Sequence, residues 1–118
     1  DRDPESVRVS IANREDNGIA DEAVAFHHAG LEEGFRLTGR ADVVLANIIS
    51  DVLCIYADNL VDSVSPGGVL ALSGILAKEQ DAVRAHFEAK CQTAWGAGTR
   101  ADGRIMGEWS DVALFRPL

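Results

Sequence analysis

The apolar positions of the chain fall into alternating helix-like and strand-like groups. Asp3-Pro4-Glu5 places a capping carboxylate, a first-turn proline and an acidic residue where a helix start favours them. Val7 and Ile11 then recur at helical spacing, and Asn17-Gly18 is a stop signal, so the pattern predicts a helix over 4–17. Ala23-Val24-Ala25-Phe26 is a short apolar run that predicts a buried strand. Residues 41–47 (Ala-Asp-Val-Val-Leu-Ala-Asn) predict a second, of the consecutive aliphatic kind that suits a parallel strand covered on both faces. Ile49, Val52, Leu53, Tyr56, Leu60 and Val64 lie on one helical stripe, which Pro66-Gly67-Gly68 is expected to end. Val69–Leu72 predicts a strand closing at Ser73-Gly74, and 78–90 a helix with Val83 and Phe87 on its apolar side. Ala101-Asp102-Gly103 is a hairpin signal and Val112–Phe115 a final strand. Strands alternating with helices and ending in an antiparallel hairpin describe an open α/β sheet.

Composition changes this picture little. With 118 residues, 47% hydrophobic and 25% charged, the chain has the make-up of one soluble globular domain. No apolar run approaches the ~20 residues of a membrane helix, and the first residues lack the basic-then-apolar pattern of a signal peptide, so no membrane partner is expected. Cys54 and Cys91 are too few for a disulfide framework, and Cys54, among Val52, Leu53 and Ile55, reads as a small buried hydrophobe; a reducing, cytoplasmic setting follows. The net charge of −8 argues against a nucleic-acid partner and is compatible with a cationic protein.

In open α/β sheets ligands bind beyond the carboxyl ends of the strands. That rule selects Asp1-Arg2-Asp3, the turn 27–31, Asn47-Ile48 and Ser73-Gly74. Asp1 has two readings: a carboxylate that accepts both hydroxyls of a ribose, or a solvated charge. Asn47 ends an apolar strand, and its amide either holds an amine by its hydrogens or caps the next helix. His27 and His28 are adjacent and would point to opposite faces of a strand, and His86 falls on a helix surface, so no metal site is expected. Trp109 reads as core or sheet cover.

Taken in order, these segments resemble one family. Asp1-Arg2-Asp3-Pro4 matches its Asp-x-Asp-Pro, and residues 42–48 (Asp-Val-Val-Leu-Ala-Asn-Ile) its Asp-Leu-Val-Val-Ala-Asn-Ile. Pro66-Gly67-Gly68, Leu70, Leu72-Ser73-Gly74-Ile75-Leu76, Gln80, Val83 and Gly107-Glu108-Trp109 follow in its order. The family is the methyltransferases of bacterial large-subunit ribosomal protein eleven, members of the class I S-adenosylmethionine-dependent enzymes. The Pro-Gly-Gly turn is shared by most class I methyltransferases; the combination with Ala-Asn-Ile, Ser-Gly-Ile-Leu and Gly-Glu-Trp is more specific. The resemblance covers residues 1–118 as the C-terminal part of a catalytic domain. It implies a Rossmann-like class I methyltransferase sheet, incomplete here because the first two strands are missing, whose last strand is antiparallel. It implies transfer of the sulfonium methyl of S-adenosyl-L-methionine to lysine ε-amino groups and an N-terminal α-amino group of a ribosomal protein. It also implies that Asp1 holds the cofactor's ribose, that Ala29, Gly30 and Leu31 lie near the adenine, that Asn47 orients the target amine, and that Ser73 and Gly74 border the acceptor channel.

The departure from the family is the first strand with its Gly-x-Gly-x-Gly loop, which no segment of this sequence supplies; Gly96-Ala97-Gly98 stands late, before the hairpin. Weak or no cofactor binding by the isolated chain is therefore expected. In the family's sheet order the 23–26 strand would pair only with the missing second strand, so a missing N-terminal segment or a second copy is expected to complete the sheet. The alternative is a truncated methyltransferase-like domain acting as a non-catalytic oligomerising or partner-binding module.

Overall fold

The computed structural model describes residues 1–118, which divide into two compact units, Asp1–Gly39 and Arg40–Leu118.

The first unit contains α1 (Pro4–Asp16), a single 3₁₀ turn at Asp21–Ala23, and α2 (Leu31–Leu37). Asp3 caps α1 as expected, its carboxylate accepting from the Glu5 amide at 3.1 Å and the Ser6 hydroxyl at 2.9 Å. The strand expected over 23–26 does not form: Val24 is 39% exposed in irregular, extended chain. A strand exists only by pairing, and no neighbouring strand pairs with this segment; its Val24 carbonyl accepts from a side chain instead. Arg14 donates to the carbonyls of Asp21 and Val24, pairs with the Asp21 carboxylate at 2.7 Å, and stacks over the Phe26 ring at 5.6 Å. Helix α2 is not among the expected elements: Leu31 and Phe35 recur at helical spacing, but the pair is single and Gly34 interrupts the segment.

The second unit holds a four-stranded sheet of order β1-β2-β4-β3, built from β1 (Ala41–Asn47), β2 (Val64–Leu76), β3 (Arg100–Met106) and β4 (Trp109–Phe115). β1 runs parallel to β2, while β4 is antiparallel to both β2 and β3, giving the incomplete methyltransferase-like sheet with a terminal hairpin. The long helix expected from Ile49 to Val64 is broken at Tyr56 into α3 (Ser50–Ile55) and α4 (Ala57–Asp62). Pro66-Gly67-Gly68 does not end a helix. It forms an irregularity inside β2, where the register jumps from Ala41↔Val64 to Val43↔Val69. Helix α5 (Gln80–Trp95), preceded by a 3₁₀ turn at Ala77–Glu79, starts near the expected place and runs a turn further. The hairpin turns at Gly107-Glu108, because residues 101–103 lie within β3.

The core forms where α3, α4 and α5 cover one face of this sheet. Leu53, Val61, Val64, Leu70, Leu72, Ile75, Phe87, Cys91, Val112 and Leu114 are each at most 1% exposed. Val83 and Phe87 face the sheet as their spacing predicts. Burying a side chain of this class stabilises by roughly 1.5–3 kcal/mol. Alternation puts Val43, Leu45 and Asn47 on the opposite face, where Val43 and Leu45 are 57% and 77% exposed. The expectation of a β1 strand covered on both faces thus holds for one face only. Trp109 is 55% exposed at the hairpin end and does not join the core, and Cys54 is only half-buried.

Candidate functional site

Asn47 is the last residue of β1 and pairs with Ser73 of β2. Directly after that pair the β2–β4 register slips: Leu72 opposes Val112, yet Ile75 opposes Ser110, so β2 carries one extra residue. The bulge centres on Ser73-Gly74, with Gly74 at φ +76°, a conformation that glycine adopts without strain. The structure therefore brings Asn47, Ser73 and Gly74 together where β1 ends beside the bulge of β2; the strand expected to close at Ser73-Gly74 runs on to Leu76, because Ile75 and Leu76 still pair with β4. A Cβ at Gly74 would lie 2.6 Å from the Asn47 Oδ1 and 3.3 Å from the Ile48 carbonyl oxygen.

Of the two readings of Asn47, helix capping is not realised. Helix α3 begins at Ser50, its cap position is Ile49, and no side chain caps it. The Asn47 carboxamide is exposed and takes no part in the hydrogen bonds within the chain. The segment 47–50 that carries it is pinned at its far end, where the Ser50 hydroxyl donates to the Glu79 carboxylate at 2.7 Å. This Ser50–Glu79 pair was invisible in the sequence. A serine opening a helix reads as a local cap, and nothing in the spacing points 29 residues downstream.

In the first unit, Asp1 and the 27–31 turn lie side by side. The Asp1 amino group donates to the His27 carbonyl at 2.9 Å and the Ala29 amide donates to the Asp1 carbonyl at 3.0 Å, the pattern of a parallel pair confined to one residue. One Asp1 carboxylate oxygen accepts from the Asp3 amide at 2.8 Å. Gly30 occupies the cap position of α2, and Leu31, 39% exposed, is its first residue. So Asp1, Ala29, Gly30 and Leu31 form one cluster, and Asn47, Ser73 and Gly74 another.

The histidines stay apart from any ligand set, since no three His, Cys, Asp or Glu side chains gather as a metal would require. His28 instead meets the Arg2 carbonyl through Nε2 at 3.1 Å, and His86 stands edge-on to the Phe87 ring. Both thiols are held protonated. Burial, followed by the charge of Glu88, pushes Cys91 up to about 12; burial and then Asp51 raise Cys54. The Asp3 carboxyl is held below its ordinary value by the Ser6 hydroxyl first and the Glu5 amide second.

Comparison with known proteins supplies the context. The family model described as "Ribosomal protein L11 methyltransferase (PrmA)" matches residues 1–109. The ribosomal protein L11 methyltransferase of Citrifermentans bemidjiense is 46% identical over 89 residues, 75% of this chain and 28% of that protein. That of Pelobacter propionicus is 39% identical over 109 residues, 92% of this chain and 32% of that protein. The chain thus spans about a third or less of the length of these relatives. Among solved structures, ribosomal protein L11 methylase from Lactobacillus delbrueckii subsp. bulgaricus superposes with a TM-score of 0.80 at 22% identity, covering 100% of this chain and 56% of that one. A methyltransferase from Pyrococcus furiosus superposes with a TM-score of 0.62 at 16% identity, covering 98% and 60%. At these identities the structures establish a shared fold, while the family model reaches across nearly the whole sequence. The chain belongs to the ribosomal protein L11 methyltransferase family.

Proposed function

We propose that this chain is the acceptor-side part of an S-adenosyl-L-methionine-dependent methyltransferase that acts on lysine ε-amino and N-terminal α-amino groups of ribosomal protein L11. The observation that carries the proposal is the exposed Asn47 carboxamide, unengaged within the chain and set beside the Ser73-Gly74 bulge at the strand ends of a family member. In this reading the Asn47 carbonyl oxygen accepts a hydrogen from the target amine and so aims the nitrogen lone pair. Ser73 and Gly74 border the channel through which the amine arrives.

The residues present fit part of the cofactor. Asp1 uses one carboxylate oxygen on the Asp3 amide and leaves the other for a ribose hydroxyl, and Ala29, Gly30 and Leu31 stand beside it, where the adenine would lie in this reading. S-adenosyl-L-methionine supplies an electrophilic methyl group on a sulfonium sulfur. The amine must be neutral to attack, and the chain's contribution is alignment, which is worth up to ~7–11 kcal/mol in well-oriented systems. The amine proton leaves to solvent. A cytoplasmic location goes with this reading, and no helix is long and apolar enough to cross a membrane.

The test is transfer of labelled methyl from S-adenosyl-L-methionine to ribosomal protein L11 by the polypeptide as its source makes it. Incorporation into lysine and the N-terminus supports the proposal, and its absence with folded protein overturns it. A second reading, a non-catalytic partner-binding module, draws on the sheet face that bares Val43 and Leu45. It requires a native mass equal to the 12.6 kDa of this chain. A native protein of roughly twice that mass or more, nearer the usual size of a catalytic domain, removes it.

A further inference from the structure

Gly74 combines two properties that no other glycine of the chain shares. Its backbone is left-handed, at φ +76°, and the direction in which a side chain would leave it is filled by the functional group of Asn47. The built Cβ comes within 2.6 Å of Oδ1, far inside van der Waals contact, and has the Ile48 carbonyl oxygen and amide at 3.3 and 3.5 Å behind it. Gly96 is the contrast: its φ is +81°, yet a Cβ there meets nothing within 4 Å. Gly67 meets only the flexible end of Leu118. At Gly74, therefore, the missing side chain is space that the Asn47 carboxamide occupies.

We propose that Gly74 is the positioning residue for Asn47: the bulge in β2 presents a bare Cα to the strand end of β1, and the carboxamide rests against it. The inference rests on the assignment of Asn47 to the acceptor amine. Two features support the geometry. The bulge falls one residue after the Asn47↔Ser73 pair, so register fixes which atom of β2 meets the side chain. The carboxamide has no hydrogen bond within the chain to hold its orientation, leaving contact with Gly74 as the constraint. A side chain at 74 would turn the amide aside, and a displacement of an ångström at a reacting group costs on the order of 100-fold in rate.

The experiment compares Gly74→Ala, Asn47→Ala, the double variant and Gly96→Ala in the polypeptide as its source makes it. Methyl transfer, cofactor Kd, Tm and the Asn47 side-chain amide signal in a nitrogen–proton correlation spectrum are read for each. Gly96→Ala also places a side chain on a positive-φ backbone, but without the collision, and is expected to keep kcat and the amide signal. Gly74→Ala is expected to lower kcat by on the order of 100-fold, leave the cofactor Kd unchanged and move the Asn47 amide signal. The double variant is expected to be no slower than the worse single variant, and to melt above Gly74→Ala because the colliding amide is gone. That last comparison holds the inference open to refutation even where Gly74→Ala folds poorly. An unmoved amide signal in Gly74→Ala, or melting shifts that simply add, overturns the positioning role. Full activity of Asn47→Ala instead overturns the assignment of Asn47, and the amide signal still decides the role of Gly74.

Discussion

A Cβ on Gly68 would lie 2.7 Å from the Asp42 carbonyl oxygen and 2.9 Å from that of Ser65, both backbone atoms that move only with their strands. Gly68→Ala must therefore push β1 away from β2, and a cost of roughly 1–3 kcal/mol, read as a fall in Tm, is expected. Cys91 is a second residue whose surroundings dictate its chemistry. Fully buried between α5 and its neighbours, it keeps its proton to about pH 12 against an ordinary value of 9.0. Below pH 9 both folded and unfolded chains hold that proton, so stability there is complete. Above it the unfolded chain ionises first, and stability falls by up to ~1.4 kcal/mol per pH unit until the folded thiol also titrates. Chemical unfolding at pH 8, 9 and 10 checks this: the decline between 9 and 10 should shrink in Cys91→Ala, and an equal decline would exclude the thiol as its cause. In the native state Cys91 should also resist thiol reagents that label unfolded protein at once.

At the scale of elements, the hairpin is tied to α5 through one buried amide. Gln80, 8% exposed, donates from Nε2 to the carbonyls of Arg104 and Asp111, and Gly103 leaves room for it, since a Cβ there would sit 3.0 Å from that nitrogen. Gln80→Leu removes both bonds, for a predicted loss of about 1–3 kcal/mol measured by denaturant unfolding, at about 0.5–1.5 kcal/mol for each bond. An unchanged midpoint would mean that water replaces the amide. In the sequence Gln80 stands out only by its place in the family pattern; its partners lie 24 and 31 residues away and leave no local trace. The same limit separates the elements that were legible from those that were not. Asp3-Pro4-Glu5 and the Val83/Phe87 pair are local signals, and α1 and α5 follow from them. Residues 23–26 are apolar enough for a strand, but no neighbouring strand pairs with them: the Asp1 pairing falls at His27 and Ala29, and the Val24 carbonyl accepts from Arg14. Pro66-Gly67-Gly68 reads as a terminator because proline and glycine punctuate most chains. Here β2 continues through it because Gly67 and Gly68 bond to the Pro117 carbonyl and the Arg116 amide of the chain's end. At the candidate site, Asn47, Ser73 and Gly74 were each recognisable at strand ends, but the bulge that sets Gly74 against Asn47 exists only in the register.

At the scale of the whole molecule, family membership and chain length pull in different directions. The chain carries the Asp1 cluster and the Asn47 cluster, yet it contains no Gly-x-Gly-x-Gly loop to enclose the methionine end of the cofactor. Calorimetric titration of the isolated 118 residues with S-adenosyl-L-methionine should accordingly show no micromolar binding, and a micromolar Kd would mean that these residues hold the cofactor without that loop. The net charge of −8 is compatible with a cationic protein partner, and any such association should weaken as salt is raised. The role of Asn47 is read most directly from the split between turnover and cofactor affinity in Asn47→Ala, made in the polypeptide as its source makes it. If Asn47 orients the acceptor amine, methyl transfer to ribosomal protein L11 falls by at least about 100-fold while the Kd for S-adenosyl-L-methionine stays within a few-fold. Undiminished transfer, or loss of transfer and cofactor binding together, would contradict it.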